Sequence, residues 1–477
     1  MRYFARDSLW VLTAAACLLA ACATVPDLGV RPDPKAAASY SSTVSFTAPA
    51  ADWPADGWWQ SYGDAQLSDL IETALQGSPT LAQAKARVFE AQAAAGEAKS
   101  STLPTLELDG NVSELKQSLN QGFPPIFQQY LPRGYNSSGY VALKFGYEFD
   151  FWGKNRSAVA AATSEVRAAQ AEAAEARLAL STAVALAYAD LGRLYAERDV
   201  AERSVQNKQE TEGLVSRRVD NGLDTRAELK QAEAGAPAAR AQQAAVDEEI
   251  AQTRNRLAAL LGAGPDRGTS IARPASVRLK VFGLPEQLAA ELLGRRPDVV
   301  AARWRAEAAA KRIGAARAQF YPNINLAAYI GQQALYAHLL WKASSQIGSV
   351  GPAISLPIFE GGRLRAQYRG AQADYDDAVA SYDATLVQAL QQVADTAASE
   401  RALTVRLKES RAALEADEEA YKLTRMRYEG GLSNYQSVLL AEDAVLQARL
   451  TVADLDARAF TLDVQLVQAL GGGYTQS

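Results

Sequence analysis

Histidine and cysteine are almost missing from this sequence. Its 477 residues contain one His, His338, and two Cys, Cys17 and Cys22. That excludes a Cys/His metal cluster. A Ser–His–Asp triad would have to use His338, in the run Ala334-Leu335-Tyr336-Ala337-His338-Leu339, and no nucleophile-elbow motif accompanies it. There is no Walker A loop and no GxGxxG fingerprint after a strand. Long hydrophobic runs are also scarce. Mean hydropathy is −0.16, and the one apolar run stands at the very start, whereas a multi-pass helical membrane protein needs many runs of ~20 residues. Positive charge is not in excess: 49 Lys and Arg against 54 Asp and Glu give a net charge of −5, which argues against a nucleic-acid partner. Gly (32) and Pro (18) are ordinary, so the chain is neither collagen-like nor disordered. Length alone suggests about two to four domains. What is abundant is Ala, about a fifth of the residues, a composition that favours long, closely packed helices.

The N-terminus reads as an address. Arg2 and Arg6 precede an apolar stretch from Leu9 to Ala20, too short to span a bilayer. Leu19-Ala20-Ala21-Cys22 then resembles a bacterial lipoprotein signal, which implies a signal peptide over 1–21 and lipidation of Cys22. In such lipoproteins Asp after the Cys tends to mean inner-membrane retention. Ala23 stands there, so the resemblance points to the outer membrane and its lipid.

The body is one unit written twice. Pro79 and Pro297 lie 218 residues apart, and the same offset relates Arg87 to Arg305, Gly96 to Gly314 and Pro104 to Pro322. Further on the offset is 209, relating Gly153 to Gly362, Arg218 to Arg427, Gly222 to Gly431 and Gly262 to Gly471. Each copy reads helix, strand, strand, very long helix, helix. A helix over about 66–102 ends before Pro104. Leu106, Leu108 and Val112 alternate with polar residues, and Val141, Leu143, Phe145, Tyr147, Phe149 and Phe151 share one face. In the second copy Ile324, Leu326, Ala328 and Ile330 alternate. A fourth strand over about 345–358 carries Ile354, Leu356 and Ile358. Such alternation fits a sheet with one wet face or a transmembrane β-strand. Long helices on either side leave no second layer to cover the strands, and Trp152 with nearby aromatics suits a membrane girdle. Four strands cannot close a barrel, so the barrel must be shared: two chains give eight strands, three give twelve.

From Gly153 to about Val219 no Pro interrupts a helix of about 100 Å. The following helix covers about 223–261. A heptad seam runs through Val159, Ala162, Val166, Ala169, Ala173, Ala176, Leu180 and Ala183. The second copy offers Tyr368, Ala371, Tyr375, Ala378, Tyr382 and Thr385. Pro237 lies inside the shorter helix and predicts a bend.

Arg295-Arg296-Pro297-Asp298-Val299, Gly314 to Pro322 and Leu356-Pro357-Ile358-Phe359-Glu360-Gly361-Gly362-Arg363-Leu364 resemble the signature of the TolC-like outer-membrane efflux channels. With Trp58-Trp59-Gln60-Ser61-Tyr62-Gly63-Asp64 they resemble its lipoprotein (NodT/OprM-type) branch more narrowly. The resemblance covers about 50–471. It implies a mainly α fold with a transmembrane β-barrel: a homotrimer whose twelve-stranded barrel continues into a long periplasmic α-helical barrel. It implies the passive exit duct of a tripartite pump, with a periplasmic adaptor (membrane fusion) protein and an inner-membrane pump of the RND type as partners. It also implies no catalysis, cofactor or metal. The organisation expected is signal 1–21, anchor and N-terminal girdle 22–64, repeat one 65–262 with its hairpin about 103–152, an equatorial linker 263–283, repeat two 284–471 with its hairpin about 321–359, and a tail 472–477. The loops about 114–137 and 331–344 would face outside.

The resemblance makes the turns around Arg218, Gly222 and Leu223, and around Arg427, Gly431 and Leu432, the tips that meet the adaptor. Gly in each turn also suits a left-handed helix cap. The family's acidic gate position is filled by Leu440 here, so Tyr435, Leu440 and Asp443 are the gate candidates. Two other readings stay open: a protein-secretion duct with the same fold, and a soluble, lipid-anchored periplasmic coiled-coil scaffold whose alternating segments form small sheets. Replacing Cys22→Ser is expected to abolish labelling by a radioactive lipid precursor; undiminished labelling would overturn the assignment of Cys22.

Overall fold

The computed structural model describes residues 25–41, 44–118, 124–275, 277–279, 281–286 and 288–475. The signal segment 1–21 and Cys22 lie outside them. The chain divides into two compact units. One comprises Met1–Asp33, Phe89–Arg167 and Arg303–Ala380; the other comprises Pro34–Val88, Ala168–Ala302 and Ser381–Ser477.

The elements follow the duplicated order. Copy one contains α1 (Ala65–Gly77), α2 (Pro79–Ser100), β1 (Thr105–Lys116), β2 (Tyr135–Phe149), α3 (Lys154–Asp220) and α4 (Arg226–Leu260). Copy two contains α5 (Leu288–Arg295), α6 (Pro297–Ala318), β3 (Asn323–Ala334), β4 (Gln346–Ser355), α7 (Arg363–Glu429) and α8 (Tyr435–Ala469). The long helices α3 and α7 have 67 residues each, and α4 and α8 have 35 each.

The single helix expected over 66–102 is two. Ser78 adopts an extended conformation (φ −69°, ψ 124°) and α2 begins on Pro79. Proline disfavours helical geometry in the residue before it and lacks an N–H, but suits the first turn of a new helix. The same break precedes Pro297 in copy two. By contrast α4 runs through Pro237 without interruption. It is opened by a capping box in which Thr225 and Glu228 exchange hydrogen bonds with each other's backbone.

In the first unit the four strands form one antiparallel sheet in the order β1-β2-β3-β4. The two copies join through β2 and β3, with Leu143 opposite Ile330 and Phe149 opposite Ile324. The alternating segments of both copies thus share one continuous sheet. Its register sorts residues cleanly. Leu108 pairs with Leu143, Leu143 with Ile330, and Ala328 with Val350 on one face. Glu107 pairs with Lys144, Lys144 with Tyr329, and Tyr329 with Ser349 on the other. On the polar face Lys144 also forms an ion pair with Asp109. The hairpin of copy one is longer than its alternation suggested, because pairing continues through Ser113–Lys116 and Tyr135–Ser138, within and beside the expected loop. Backbone pairing needs no apolar face there. The fourth strand stops at Ser355, short of the expected 358, so Leu356 and Ile358 lie beyond it, next to Pro357. The same unit buries Ile313, Phe320, Leu364, Tyr368 and Tyr375, with Val25 and Leu28 packed against them. The Tyr375 hydroxyl donates to the Pro32 carbonyl at 3.0 Å.

In the second unit Leu67, Leu70, Ile71 and Ala74 form the buried stripe of α1 and pack with Trp58, Trp59, Tyr62, Tyr188 and Phe460. Asp64 caps α1 through the N–H groups of Gln66 and Leu67 and accepts from Tyr188 at 2.7 Å. The N-terminal and linker segments meet here. Ala50 bridges to Leu284, and Arg278 N–H donates to the Tyr62 carbonyl at 3.1 Å.

From Lys154 to Ala179, the start of α3, the buried positions are Asn155, Ala161, Ser164, Ala168, Ala171 and Leu178. Of the expected seam, Val159, Ala162, Val166, Ala169, Ala173, Ala176 and Ala183 are half-buried and Leu180 is buried. Small side chains on both stripes leave the sequence little basis for choosing between them. In copy two the larger Tyr368, Tyr375 and Tyr382 are buried as expected.

The last helix of each copy ends against the Pro break of that copy's first helices. Gly262 (φ +71°) caps α4, and a Cβ there would come within 2.5 Å of the Gly77 carbonyl oxygen. Gly471 (φ +89°) caps α8, and a Cβ there would lie 2.0 Å from the Arg295 carbonyl oxygen. Both the backbone conformation and the approach demand glycine. Gly471→Ala is therefore expected to lower the melting midpoint followed by helical circular dichroism by several degrees, a loss of about 2 kcal/mol or more. Gly264→Ala, with open space around it, is expected to change it little.

Candidate functional site

The two long-helix turns end α3 and α7 in the same way. Gly222 has φ +73° and Gly431 φ +75°. Leu223 N–H donates to the Arg218 carbonyl at 2.8 Å and Gly222 N–H to Val219 at 2.9 Å. Leu432 N–H donates to Arg427 at 2.7 Å and Gly431 N–H to Tyr428 at 3.0 Å. These are paired Schellman caps, closed by a residue that tolerates the left-handed region. The cap geometry turns Leu223 and Leu432 outward, where they are 64% and 74% exposed. Matched positions of the two adjoining turns thus each present an exposed leucine.

The arginines of the two turns differ. Arg427 is exposed. Arg218 is only 9% exposed and its guanidinium is turned inward. Its Nε and Nη2 donate to the two Asp224 carboxylate oxygens at 2.9 and 3.2 Å. Its Nη1 donates to the Tyr428 carbonyl at 2.7 Å, and the group lies 4.3 Å from the Tyr428 ring centroid. The Tyr428 hydroxyl donates to Asp224. Arg218, Asp224 and Tyr428 thus tie one turn to the other through a buried, charge-assisted network. Beneath it Tyr428 and Tyr435 pack with Val215, Ala232 and Val438.

Neither Asp224 nor Tyr428 is among the site residues chosen from sequence. A signal was present: at the 209-residue offset Tyr428 answers Val219 and Asp224 answers Ser433, so the copies diverge in polarity at these positions.

The gate candidates fall into different environments. Tyr435 is buried in the cluster under the turns. Burial, then the nearby Glu442 and Asp443, pushes its hydroxyl up to about 12. Leu440 is exposed. Asp443 is exposed but lies 3.5 Å from Lys208 Nζ. Next to it is a residue the sequence reading passed over as a site. Glu442 is buried and accepts from Lys208 at 3.0 Å. Burial raises its carboxyl above the usual range, against the pull of Lys208. His338 sits exposed in a short turn, its ring 5.9 Å from that of Tyr336. Among the described residues no group of three or more His, Cys, Asp or Glu could hold a metal ion, and no helix is long and apolar enough to cross a membrane.

The other functional surface is the sheet. Leu106, Leu108, Val112, Val350 and Ile354 are exposed on one face. At one end Trp152 stacks on Tyr321 at 4.7 Å and donates through Nε1 to the Pro322 carbonyl at 2.8 Å, with Phe151 and Phe359 exposed nearby in sequence.

Burial alone would raise the Asp224 carboxyl, but the hydrogen bonds from Arg218 and Tyr428 outweigh it and hold the group below its ordinary value of 3.8. A carboxyl held low when folded adds stability above its unfolded pKa, and that stability is lost as the pH falls through the lower folded value. The tie is therefore expected to hold at neutral pH and to weaken below about pH 4. Asp224→Ala, which leaves Arg218 buried without its carboxylate, is expected to speed hydrogen exchange of the turn amides about tenfold or more at neutral pH while sparing the sheet.

Comparison with known proteins places these features in context. The family model described as outer membrane efflux protein matches residues 70–263 and 288–472. The fusaric acid resistance protein FusA of Burkholderia cepacia is 39% identical over 68% of this chain, a match that spans 61% of FusA itself. The multidrug resistance outer membrane protein MdtP of Escherichia coli K12 is 32% identical over 89% of this chain and 88% of its own. The crystal structure of the outer membrane protein VceC from Vibrio cholerae superposes with a TM-score of 0.83 at 44% identity, covering 88% of this chain and all of that one.

Proposed function

The chain belongs to the outer membrane efflux protein family, and from that premise we propose that three copies assemble into the exit duct of a tripartite efflux pump. One observation carries the reading. The four-stranded sheet exposes an apolar face, and in a single chain its two edge strands, β1 and β4, are each paired on one side only. In hydrocarbon an unpaired backbone donor or acceptor costs several kcal/mol, so the sheet must close on itself. Closure by copies of the same chain pairs β1 of one with β4 of the next. Eight strands from a dimer would give an interior just wide enough for side chains to fill. Twelve from a trimer leave room for a conducting lumen lined by the Glu107, Lys144 and Tyr329 face. Pro352 lies in β4, an edge strand of the single chain, as a strand proline should.

The lipid anchor is assigned to Cys22. In support, Val25, three residues on, packs against the cluster that holds Phe320 and Leu364 beside the strand ends. The paired turns are assigned as the adaptor-docking tips. Leu223, Leu432 and Arg427 form the contact surface, Gly222 and Gly431 shape it, and Arg218 stiffens it from within. The constriction is assigned to the adjoining start of α8, with Leu440 and Asp443 exposed and Tyr435 supporting them. The partners are a periplasmic adaptor and an inner-membrane pump of the RND type, which supplies the energy. The relatives named for fusaric acid and multidrug resistance support small molecules as cargo.

In outer-membrane fractions the protein is expected to migrate as an SDS-resistant trimer that boiling converts to monomer. Deleting the gene is expected to sensitise cells to a panel of antibiotics and aromatic acids. Leu223→Glu with Leu432→Glu is expected to reproduce most of that sensitivity without loss of trimer. A monomer in the soluble or inner-membrane fraction, or loss of protein secretion with unchanged drug sensitivity, would overturn the reading.

A further inference from the structure

A cleft of about 740 Å³ lies in the second unit between α3, α4 and α8, within the usual range of small-molecule sites. Its α4 wall is made of Gly235, Ala238, Ala239, Gln242 and Val246, which recur every three or four residues on one helical face. Side chains this small at the first three positions hold the space open. Ala201 of α3 and Leu446 and Leu450 of α8 complete an apolar floor.

The charged lining is unbalanced. Glu197, Asp443 and Asp454 line the cleft, and Lys208 is its cation. Lys208 is already engaged by Glu442 at 3.0 Å and Asp443 at 3.5 Å. Arg193 reaches Glu197 and lies 3.7 Å from Asp454, but it also binds Asp190 at 2.9 Å. Among the lining residues Glu197, Asp443 and Asp454 outnumber Lys208 by two, with Arg193 reaching Glu197 from outside the lining, while Glu442, also outside it, is drawn on by Lys208 and Arg425. The second carboxylate oxygen of Glu442, Oε1, is buried without a hydrogen-bond partner. Burial raises the Glu197 carboxyl, and Asp454 opposite raises it further, against the pull of Arg193. Carboxylates crowded in this way are relieved by an added positive charge. The apolar floor favours an organic ion over a hydrated metal ion, since the latter gains nothing from burying apolar surface.

We propose that this cleft binds an amphipathic organic cation, its apolar body on Ala238, Ala239 and Leu446 and its charge toward Glu197 and Asp454. The site is separate from the capped turns and from the sheet; it shares Asp443 with the assigned constriction, and nothing else in the duct reading requires it.

The test uses the detergent-solubilised full-length protein and tetraphenylphosphonium as the probe, followed by equilibrium dialysis. Saturable binding of one cation per chain is expected. Tetraphenylborate, matched in shape and opposite in charge, is expected to bind at least tenfold more weakly. Glu197→Gln with Asp454→Asn is expected to weaken the cation at least tenfold, and Ala238→Leu, which fills the floor, to do the same. If Ala238→Leu fails to assemble, the two rim substitutions decide. Equal affinity for the two ions, displacement of the probe by millimolar Mg²⁺ alone, or unchanged affinity in well-folded rim variants would overturn the proposal. The assay reads binding and not transport, so a negative result removes the cleft site and leaves the duct standing.

Discussion

An unpaired strand edge cannot remain in hydrocarbon, and most of what is distinctive in this protein follows from that constraint. The sheet of β1 to β4 is apolar on one face and polar on the other, and it is paired on both sides only at β2 and β3. A soluble protein would cover the apolar face with a helix and blunt the edges with charge or bulges. Here the apolar side chains stay exposed and the aromatic residues collect at the strand ends. The remedy proposed above is other copies of the same chain, and duplication would make it economical. Two hairpins related by repetition present edges of the same kind, so one interface, repeated, would close the object.

The helical part solves a different problem. The mature chain would have no disulfide, since Cys17 falls within the expected signal segment, so packing and polar ties must hold it. Gly262 and Gly471 let the end of each copy's last helix approach a carbonyl at that copy's Pro break far more closely than any side chain would allow. At the turns the glycine caps are equivalent, but the support beneath them is not. Arg218, Asp224 and Tyr428 tie the two turns together, whereas Arg427 stays on the surface. Duplicated units that began alike have divided the labour, one arginine becoming an internal brace and the other a surface charge.

Much of this was legible beforehand. The 218- and 209-residue offsets disclosed the duplication. Pro104 marked the end of a helix because proline lacks an N–H wherever it stands, and Gly222 and Gly431 marked caps because a positive φ strains other residues; the break at Pro79 was not read, since the expected helix ran through it. Alternation revealed the strands wherever one face is apolar. It fell silent over Tyr135–Ser138, which pair although their side chains carry no pattern. At the start of α3 the buried stripe lies two residues from the expected seam for a related reason: with alanine on both stripes, periodicity has no contrast. Where tyrosine marks the stripe, in α7, the expected Tyr368, Tyr375 and Tyr382 are buried.

The sequence by itself determined the order and type of the elements, the repeat, the caps and the sorting of strand residues onto two faces. Each of these depends on local geometry or on a period of two or seven residues, which a single chain displays in one dimension. Tertiary structure alone decided which polar side chains are buried and with whom. Arg218 meets a backbone carbonyl 210 residues away, and Lys208 meets Glu442 across 234. The cleft beside Lys208 likewise depends on three helices converging on small side chains. Such pairings have no local signature, because the stability of a buried charge depends on partners that only the folded chain brings within reach.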